Sequence, residues 1–344
     1  MRTGLLRGAL AVAVASLTLV ACGSDPAPAR PSAGPSATVV PAPARATLAA
    51  GSPAWVSVSV ATLWRSPASP RDVDAPALAN PARIGQWLAD MTVDQRRALS
   101  GRADTQALMG DRVRVVRLRE RWARVVVTSQ PSPLDERGYP GWVPRRQLTA
   151  TAPTHSERRA SVTTRTAWLR TDEATPARLF KVSFGTRLSV VGLTPDFVRV
   201  ATPTGVVRRL ARSAVVVHTA GEPAIQPSRA SLVRTARLFL GLPYLWSGVS
   251  GLGLDCSGLT WLVYRAHGIT IPRDASPQAA GGTAVAHLRR GDLMFYATDG
   301  VVHHVSMYIG DGMMIHAPGT GESVEIVPTS TLSDEYVGAR RYLR

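Results

Sequence analysis

GLDCSGLTWLVYRAHG, residues 253–268, decides how this chain is read. After Cys256, the apolar residues Leu259, Leu262, Val263 and Ala266 recur at the spacing of one helical face. That rhythm predicts an amphipathic helix against a core. Gly268 is a natural C-terminal stop. Asp255 then stands in the capping position and Cys256 in the first turn. Unpaired N–H groups and the positive end of the helix dipole gather there, and they favour a thiolate. A buried structural cysteine is the ordinary alternative. The helix start and the Asp, Ser and Gly neighbours favour a nucleophile instead.

A cysteine nucleophile needs a base, and the base needs a third group to hold it. Five of the seven histidines follow residue 260. Residues 301–317 read as a hairpin, with strands over His303 to Ile309 and Met313 to Ala317 and the turn Gly310-Asp311-Gly312 between them. A three-residue loop with Gly312 in the left-handed region sets Ile309 opposite Met313 and puts His304 and His316 on one face. A two-residue loop, Asp311-Gly312, would flip His316 to the other face. The catalytic reading therefore expects the longer loop, with His304 as base and His316 orienting it. His303 should face away, His267 and His287 belong to solvent or loops, and His155 and His218 to linkers. Two histidines on one face, with His303 or Asp299 near, also suit zinc. The chain has no His-Glu-x-x-His helix and no second cysteine nearby, so no metal and no cofactor are expected.

Four stretches together, "LGLPYLWSGVSGLGLDCSGLTWLVYRAHGITIPRDASPQA", "RRGDLMFY", "HHVSMYIGDGMMIHAP" and "YVGARRYL", resemble the NlpC-type cysteine peptidases. These are papain-like enzymes of bacterial cell-wall metabolism. The resemblance covers about residues 228–344 and implies a catalytic domain over 225–344. It makes Cys256 the nucleophile, His304 the base and His316 its polar partner. Two departures are mild: Ser306 stands where the family usually has Gly after His-Val, and Ser247-Gly248 stands for Gly-Gly. The implied substrates are peptidoglycan stem peptides, cut after γ-linked D-glutamate and before a diamino acid. Tyr244 matches a tyrosine lining the family's cleft, while Trp246 reads better as core. Arg273 and Asp274 are expected on the substrate side. The backbone N–H of Cys256 is the obvious oxyanion donor.

Upstream, apolar residues alternate in short runs broken by turns, the pattern of small β-barrels. Gly110-Asp111-Arg112-Val113-Arg114-Val115, then Trp122-Ala123-Arg124-Val125, then Gly138-Tyr139-Pro140-Gly141-Trp142-Val143 resemble bacterial SH3-like domains. The expected architecture is α+β: the catalytic domain preceded by SH3-like modules over 49–150 and 158–218. The first module carries a helical insertion from Ile84 to Leu99, and a Pro-containing connector spans 218–230. SH3-like modules before such a domain resemble the subgroup acting on fragments with a free N-terminal L-Ala. There the first module walls the cleft and acidic groups hold the amine. Asp255 and Ser257 match that site, with Asp104 and Tyr139 as the first module's contribution.

The N-terminus is an address. Arg2 and Arg7 precede a short apolar run, and Leu19-Val20-Ala21-Cys22 resembles the bacterial lipobox. Residues 1–22 are therefore expected to be a lipoprotein signal, with Cys22 lipidated and the protein held on the outer face of the membrane. Residues 23–48, rich in Ala, Pro and Ser, read as a disordered tether.

The 344 residues carry a net charge of +16. Residues 51–224 hold 26 basic and 14 acidic groups; residues 225–344 hold 10 and 9. A basic middle suits an anionic surface, or it is simply an arginine-rich solvated face. The near-neutral catalytic part argues against nucleic acid as partner. Two cysteines exclude a disulfide scaffold. A monomer is expected. The remaining readings are an acyltransferase or amidase on the same scaffold, and a non-catalytic lipid-anchored wall-binding protein. The intact Cys256, His304 and His316 weigh against the latter.

Overall fold

The computed structural model describes residues 46–343. The signal segment, Cys22 and most of the tether lie outside the described residues.

The first module has strands β1 (Pro53–Val56), β2 (Val60–Trp64), β3 (Ala103–Leu108), β4 (Arg112–Arg119), β5 (Trp122–Val127), β6 (Tyr139–Pro144) and β7 (Leu148–Thr149). They form one antiparallel sheet in the order β3-β2-β6-β5-β4-β1-β7. Alternation drives it: along β4, Val113 and Val115 are buried while Arg112 and Arg114 are exposed. The insertion between β2 and β3 holds α1 (Ala75–Leu78), α2 (Ile84–Asp90) and α3 (Val93–Arg97). The helical insertion expected over Ile84 to Leu99 thus holds two helices. Thr92 separates them by capping α3, its side chain taking the Gln95 N–H while Gln95 takes the Thr92 N–H.

The second module repeats the plan with β8 (Arg158–Val162), β9 (Thr166–Arg170), β10 (Arg178–Ser183), β11 (Arg187–Leu193), β12 (Phe197–Ala201), β13 (Val207–Ala211) and β14 (Val215–Thr219). Its order is β10-β9-β13-β12-β11-β8-β14. His218 belongs to β14, where it pairs with Arg159, and not to a linker.

The C-terminal part starts with α4 (Arg229–Arg237), capped by Ser228. The small hairpin β15 (Val249–Ser250) and β16 (Gly253–Leu254) leads into α5 (Cys256–Ala266), followed by α6 (Ala275–Ala280). A six-stranded antiparallel sheet follows: β17 (Thr283–Val285), β18 (Leu293–Thr298), β19 (Val301–Gly310), β20 (Met313–His316), β21 (Glu325–Pro328) and β22 (Tyr336–Arg341), in the order β17-β22-β18-β19-β20-β21. Helices α5 and α6 lie against β19.

Helix α5 is not amphipathic in its surroundings. Every residue from Cys256 to Tyr264 is buried. One continuous apolar core runs from the first module into the C-terminal part and takes in Phe184 of the second. Phe184 meets Phe239 edge-on at 5.3 Å between ring centres. The polar-looking side is covered within the C-terminal part, Thr260 Oγ1 donating to Gln278 Oε1 of α6 at 2.8 Å and the Tyr264 hydroxyl to the Gly291 carbonyl at 2.6 Å. His267, expected in solvent or a loop, is buried at the end of α5 with its Nδ1 2.8 Å from the Val263 carbonyl. Among the described residues no helix is long and apolar enough to cross a membrane.

Candidate active site

Cys256 opens α5. Asp255 caps it, its Oδ1 accepting the Gly258 N–H at 2.7 Å. Gly258 permits this turn, because a Cβ there would overlap the Gly248 carbonyl oxygen. The Asp-Cys-Ser-Gly run is thus a close approach of helix to loop as well as a cap. Ser247, beside it, holds φ +71° with its Oγ buried and unpartnered among the described residues. That left-handed position favours glycine, so this departure strains the loop.

The hairpin that brings the histidines together closes differently from expectation. Gly310 pairs with Met313 around a two-residue turn, Asp311 (φ +55°) and Gly312 (φ +69°). A register shift between Tyr308 and Gly310 then inserts Ile309 as an extra residue. The bulge restores the phase that the short turn would have lost. Met307 faces Ile315, and His304 and His316 share a face, with His304 Nε2 2.9 Å from His316 Nδ1. His303 faces away and is exposed. Tyr296 lies across from His304, its ring 5.6 Å away, and its hydroxyl shares a 2.8 Å hydrogen bond with Ser306. Ser306 in place of glycine therefore serves the tyrosine under the base. The Cys256 sulfur lies against the Val305 backbone of the same strand.

Around Asp255 a buried polar network crosses into the first module. Arg273 was expected to line the substrate side; its side chain is only 1% exposed. It sits behind Asp255, with Nη2 donating to Asp255 Oδ2 at 2.5 Å, Nη1 to Ser257 Oγ at 2.9 Å and Nε to Thr105 Oγ1 at 2.9 Å. A buried guanidinium must find acceptors for its donors; the Asp255 carboxylate and two hydroxyls take them, and the Asp274 carboxylate lies 3.7 Å from Nη1. Thr105 comes from β3, so the ion pair ties the nucleophile's helix to that module. Asp274, at the N-cap of α6, accepts from the Tyr139 hydroxyl at 2.9 Å. Asp104 accepts from Arg65 Nε at 2.7 Å. Of the three acids, Asp274 is the most open, with 38% of its side chain exposed against 10% for Asp255 and 17% for Asp104. Among the described residues no group of three or more His, Cys, Asp or Glu is placed to hold a metal ion.

Residues 241–341 match the model of the NlpC/P60 family, and residues 162–218 match that of the YKFC SH3b2 domain. The gamma-D-glutamyl-L-lysine dipeptidyl-peptidase of Bacillus cereus is 43% identical over 304 residues, which cover 85% of this chain and 91% of that protein. This chain belongs to the NlpC/P60 family. The protein of the same printed name from Bacillus subtilis is 36% identical, over 82% of this chain and 96% of its own. A crystal structure of an NlpC/P60 family protein from Bacillus cereus superposes with a TM-score of 0.81 at 42% identity, over 85% of this chain and all of that one. The papain-like NlpC/P60 fold with SH3-like modules is thereby established, and the protein is a peptidase.

The electrostatics of the NlpC/P60 site differ from the expectation of a resting thiolate. Burial, with Asp255 next to it, pushes the Cys256 thiol up to about 12. The N–H groups of Val305 and Ser257 and the Arg273 charge pull the other way and lose. Burial, with His316 and His303 adding to it, lowers His304 to about 3. Burial therefore favours the neutral thiol and the neutral imidazole in the free site. Burial also raises Asp274, with Arg273 opposing. Burial raises Tyr244, and the Cys256 and Asp255 charges add to that.

Three contacts escaped the sequence. Glu325 Oε1 lies 3.3 Å from His316 Nε2, on the neighbouring strand β21. Trp246, read as core, donates from Nε1 to the Ala103 carbonyl of β3 at 2.8 Å. Thr105 takes the Arg273 guanidinium. Each depends on a register or a module contact that no local pattern carries.

Proposed function

We propose that this chain hydrolyses the bond between γ-D-glutamate and the following diamino acid in stem peptides whose N-terminal L-Ala is free. The relatives from Bacillus are named for removing a dipeptide before L-lysine, and this chain spans nearly their full length. The observation that carries the reading is the wall that the first module builds against the nucleophile. Tyr139 of that module hydrogen-bonds Asp274, and Asp104 adds its charge to the same carboxylate, beside Asp255 and Ser257 at the helix start.

Cys256, His304 and His316 are assigned as nucleophile, base and orienting residue. Glu325 beside His316 Nε2 favours a proton there. His316 Nδ1 then accepts from His304 Nε2, which leaves His304 Nδ1 bare to take the Cys256 proton. The thiolate attacks the γ-carbonyl carbon, and the Cys256 N–H holds the developing oxyanion. His304 returns the proton to the leaving amine, and water activated by the same histidine releases the dipeptide. Tyr244 lines the cleft. Asp274, the open carboxylate, is the main partner for the substrate ammonium, with Asp255 and Asp104 adding negative charge. Arg273 acts behind Asp255 and does not touch substrate.

We place the protein on the outer face of the cell membrane, as a monomer held by acyl chains on Cys22. Two or more chains give stable anchoring. Loss of the protein from the membrane fraction on Cys22→Ala tests that placement.

Mass spectrometry of products from L-Ala-γ-D-Glu-diaminopimelate tests the chemistry. Release of L-Ala-γ-D-Glu from the free peptide, with little from the N-acetylated one, is expected. Equal cleavage of both sinks the amine site. Products cut at the sugar–peptide link, or transfer to an added amine, point to an amidase or acyltransferase instead.

A further inference from the structure

We propose that the outer face of the first module docks on the anionic phosphate headgroups of a membrane leaflet. Strand β4 reads Arg112-Val113-Arg114-Val115-Val116-Arg117-Leu118-Arg119. Strict alternation would send Arg117 and Arg119 to the side opposite Arg112 and Arg114. The register shift at Val116 adds one residue and re-phases the strand. Arg117 then faces Arg124, Leu118 faces Ala123, and all four arginines of β4 are exposed on one face. Arg124 of β5 joins them, also exposed.

Asp104, which lines one pocket with Arg124, is held by Arg65, so no carboxylate is paired with this face among the described residues. Arg117 and Arg124 are direct cross-strand partners, a like-charge pairing that destabilises a sheet. Among the described residues none of the five forms an ion pair. Asp135 acts on Arg124 from a distance, but its carboxylate is already held by Arg137. Residues 1–45 offer one acid, Asp25, beside four arginines. Two partly exposed indoles flank the ladder, Trp55 opposite Arg112 and Trp122 opposite Arg119. Arginine forks suit phosphate, and tryptophan suits the boundary between headgroup and acyl chain.

The chain's own course supplies the occupant. It enters the fold at β1, which lies directly beside β4. Thirty residues separate Cys22 from Pro53, a stretch that spans ~100 Å at most. An acyl group on Cys22 therefore keeps this face within reach of the leaflet. Only that proximity rests on the anchor reading; the charge does not.

Sedimentation with vesicles tests the face without the anchor. The chain from Gly23 onward, which keeps every described residue, is mixed with phosphatidylcholine vesicles or with equimolar phosphatidylcholine and phosphatidylglycerol. Binding to the anionic vesicles alone, weakened by salt, is expected. The Arg112→Gln, Arg114→Gln, Arg117→Gln triple variant should bind ~100-fold more weakly, at about fivefold per arginine. A charge-matched control, Arg158→Gln, Arg178→Gln, Arg212→Gln, should bind nearly as wild type. Unchanged peptide hydrolysis by the first variant reports an intact fold. Equal weakening of both variants, no preference for anionic vesicles, or binding to inorganic polyphosphate without that preference each overturns the proposal. None of these outcomes touches the acyl anchor, which stands or falls with the Cys22→Ala fractionation.

Discussion

The two N-terminal modules thread seven strands in the same spatial order, yet they relate to the nucleophile differently. The first merges its apolar side with the catalytic core and sends Thr105 and Tyr139 to the site. The second keeps a core of its own, built from residues such as Val182, Leu188 and Val200. It meets the catalytic part from behind: Ser183 Oγ accepts the Gly251 N–H at 2.9 Å, and Arg187 donates to the Arg265 carbonyl at 2.6 Å. The connection between β2 and β3 spans residues 65–102, against 171–177 between β9 and β10. A shared topology thus specifies a shape, while function follows from which edge faces the cleft and which loops were lengthened.

The floor for any test of that contrast is the chemistry itself. Cys256→Ala and His304→Ala should each lower kcat/KM by about 10⁴-fold or more, as for other covalent hydrolases. Activity surviving in either would remove both from the roles assigned above. Next comes the first module's wall. Asp274→Asn keeps the Tyr139 hydrogen bond but loses the charge. For the free-amine peptide kcat/KM should fall roughly 10–100-fold, the worth of a charged hydrogen bond. The N-acetylated peptide should be little affected. Equal loss on both substrates would make Asp274 structural and dissolve the contrast between the modules.

What could be read in advance followed local chemistry. Cys256 and its cap, the pairing of His304 with His316 and the two runs of short strands all rest on spacing within a few residues. The hairpin shows the limit. The face of His316 came out as expected, but through a two-residue turn corrected by a bulge at Ile309, a detail no glycine pattern encodes. Arg273 and the thiol differ from expectation because both are buried. Burial offsets what a helix start and a polar side chain suggest, and for Arg273 it comes partly from Thr105 of the first module, which no sequence window contains. The lengths of the connections hid the partnership of His316 with Glu325.

Acid–base behaviour tests the catalytic side of the comparison, because burial favours the neutral forms of both reacting groups. With Cys256 up at about 12 and His304 down at about 3, alkylation of Cys256 in the free enzyme should keep rising above pH 8. A preformed ion pair would instead plateau from mildly acidic pH. For stability the signs differ. His304 lies below its unfolded value of about 6.5, so its contribution is complete above that pH and is lost as pH falls toward 3. Cys256 is raised, so its contribution is present below its unfolded value and is lost as pH climbs toward 12. Unfolding midpoints across pH 3–10 should therefore be highest between about 6.5 and 8.5.

Glu325→Gln should cost less, because the carboxylate is half exposed and acts through His316. A several-fold drop in kcat with KM unchanged is expected, since only the tautomer preference of the His316–His304 pair is relaxed. A KM effect would place Glu325 in substrate binding instead.

The smallest effect on catalysis is expected from the second module, and it is the sharpest test of the contrast. Ser183→Ala removes the acceptor of the Gly251 N–H, five residues before the nucleophile in sequence. An unmet buried N–H costs about 1–3 kcal/mol, so thermal stability should fall by several degrees. The loop from Gly251 to Asp255 is also held by the β15–β16 pairing and by the Asp255 N–H to the Gly248 carbonyl. Those bonds do not involve the second module. Cys256 should therefore keep its place, and kcat/KM of the folded enzyme should stay within about twofold of wild type. A loss comparable to that of Asp274→Asn, at a temperature where the variant is fully folded, would mean that both modules set the nucleophile, one through side chains in the cleft and the other through the loop behind it.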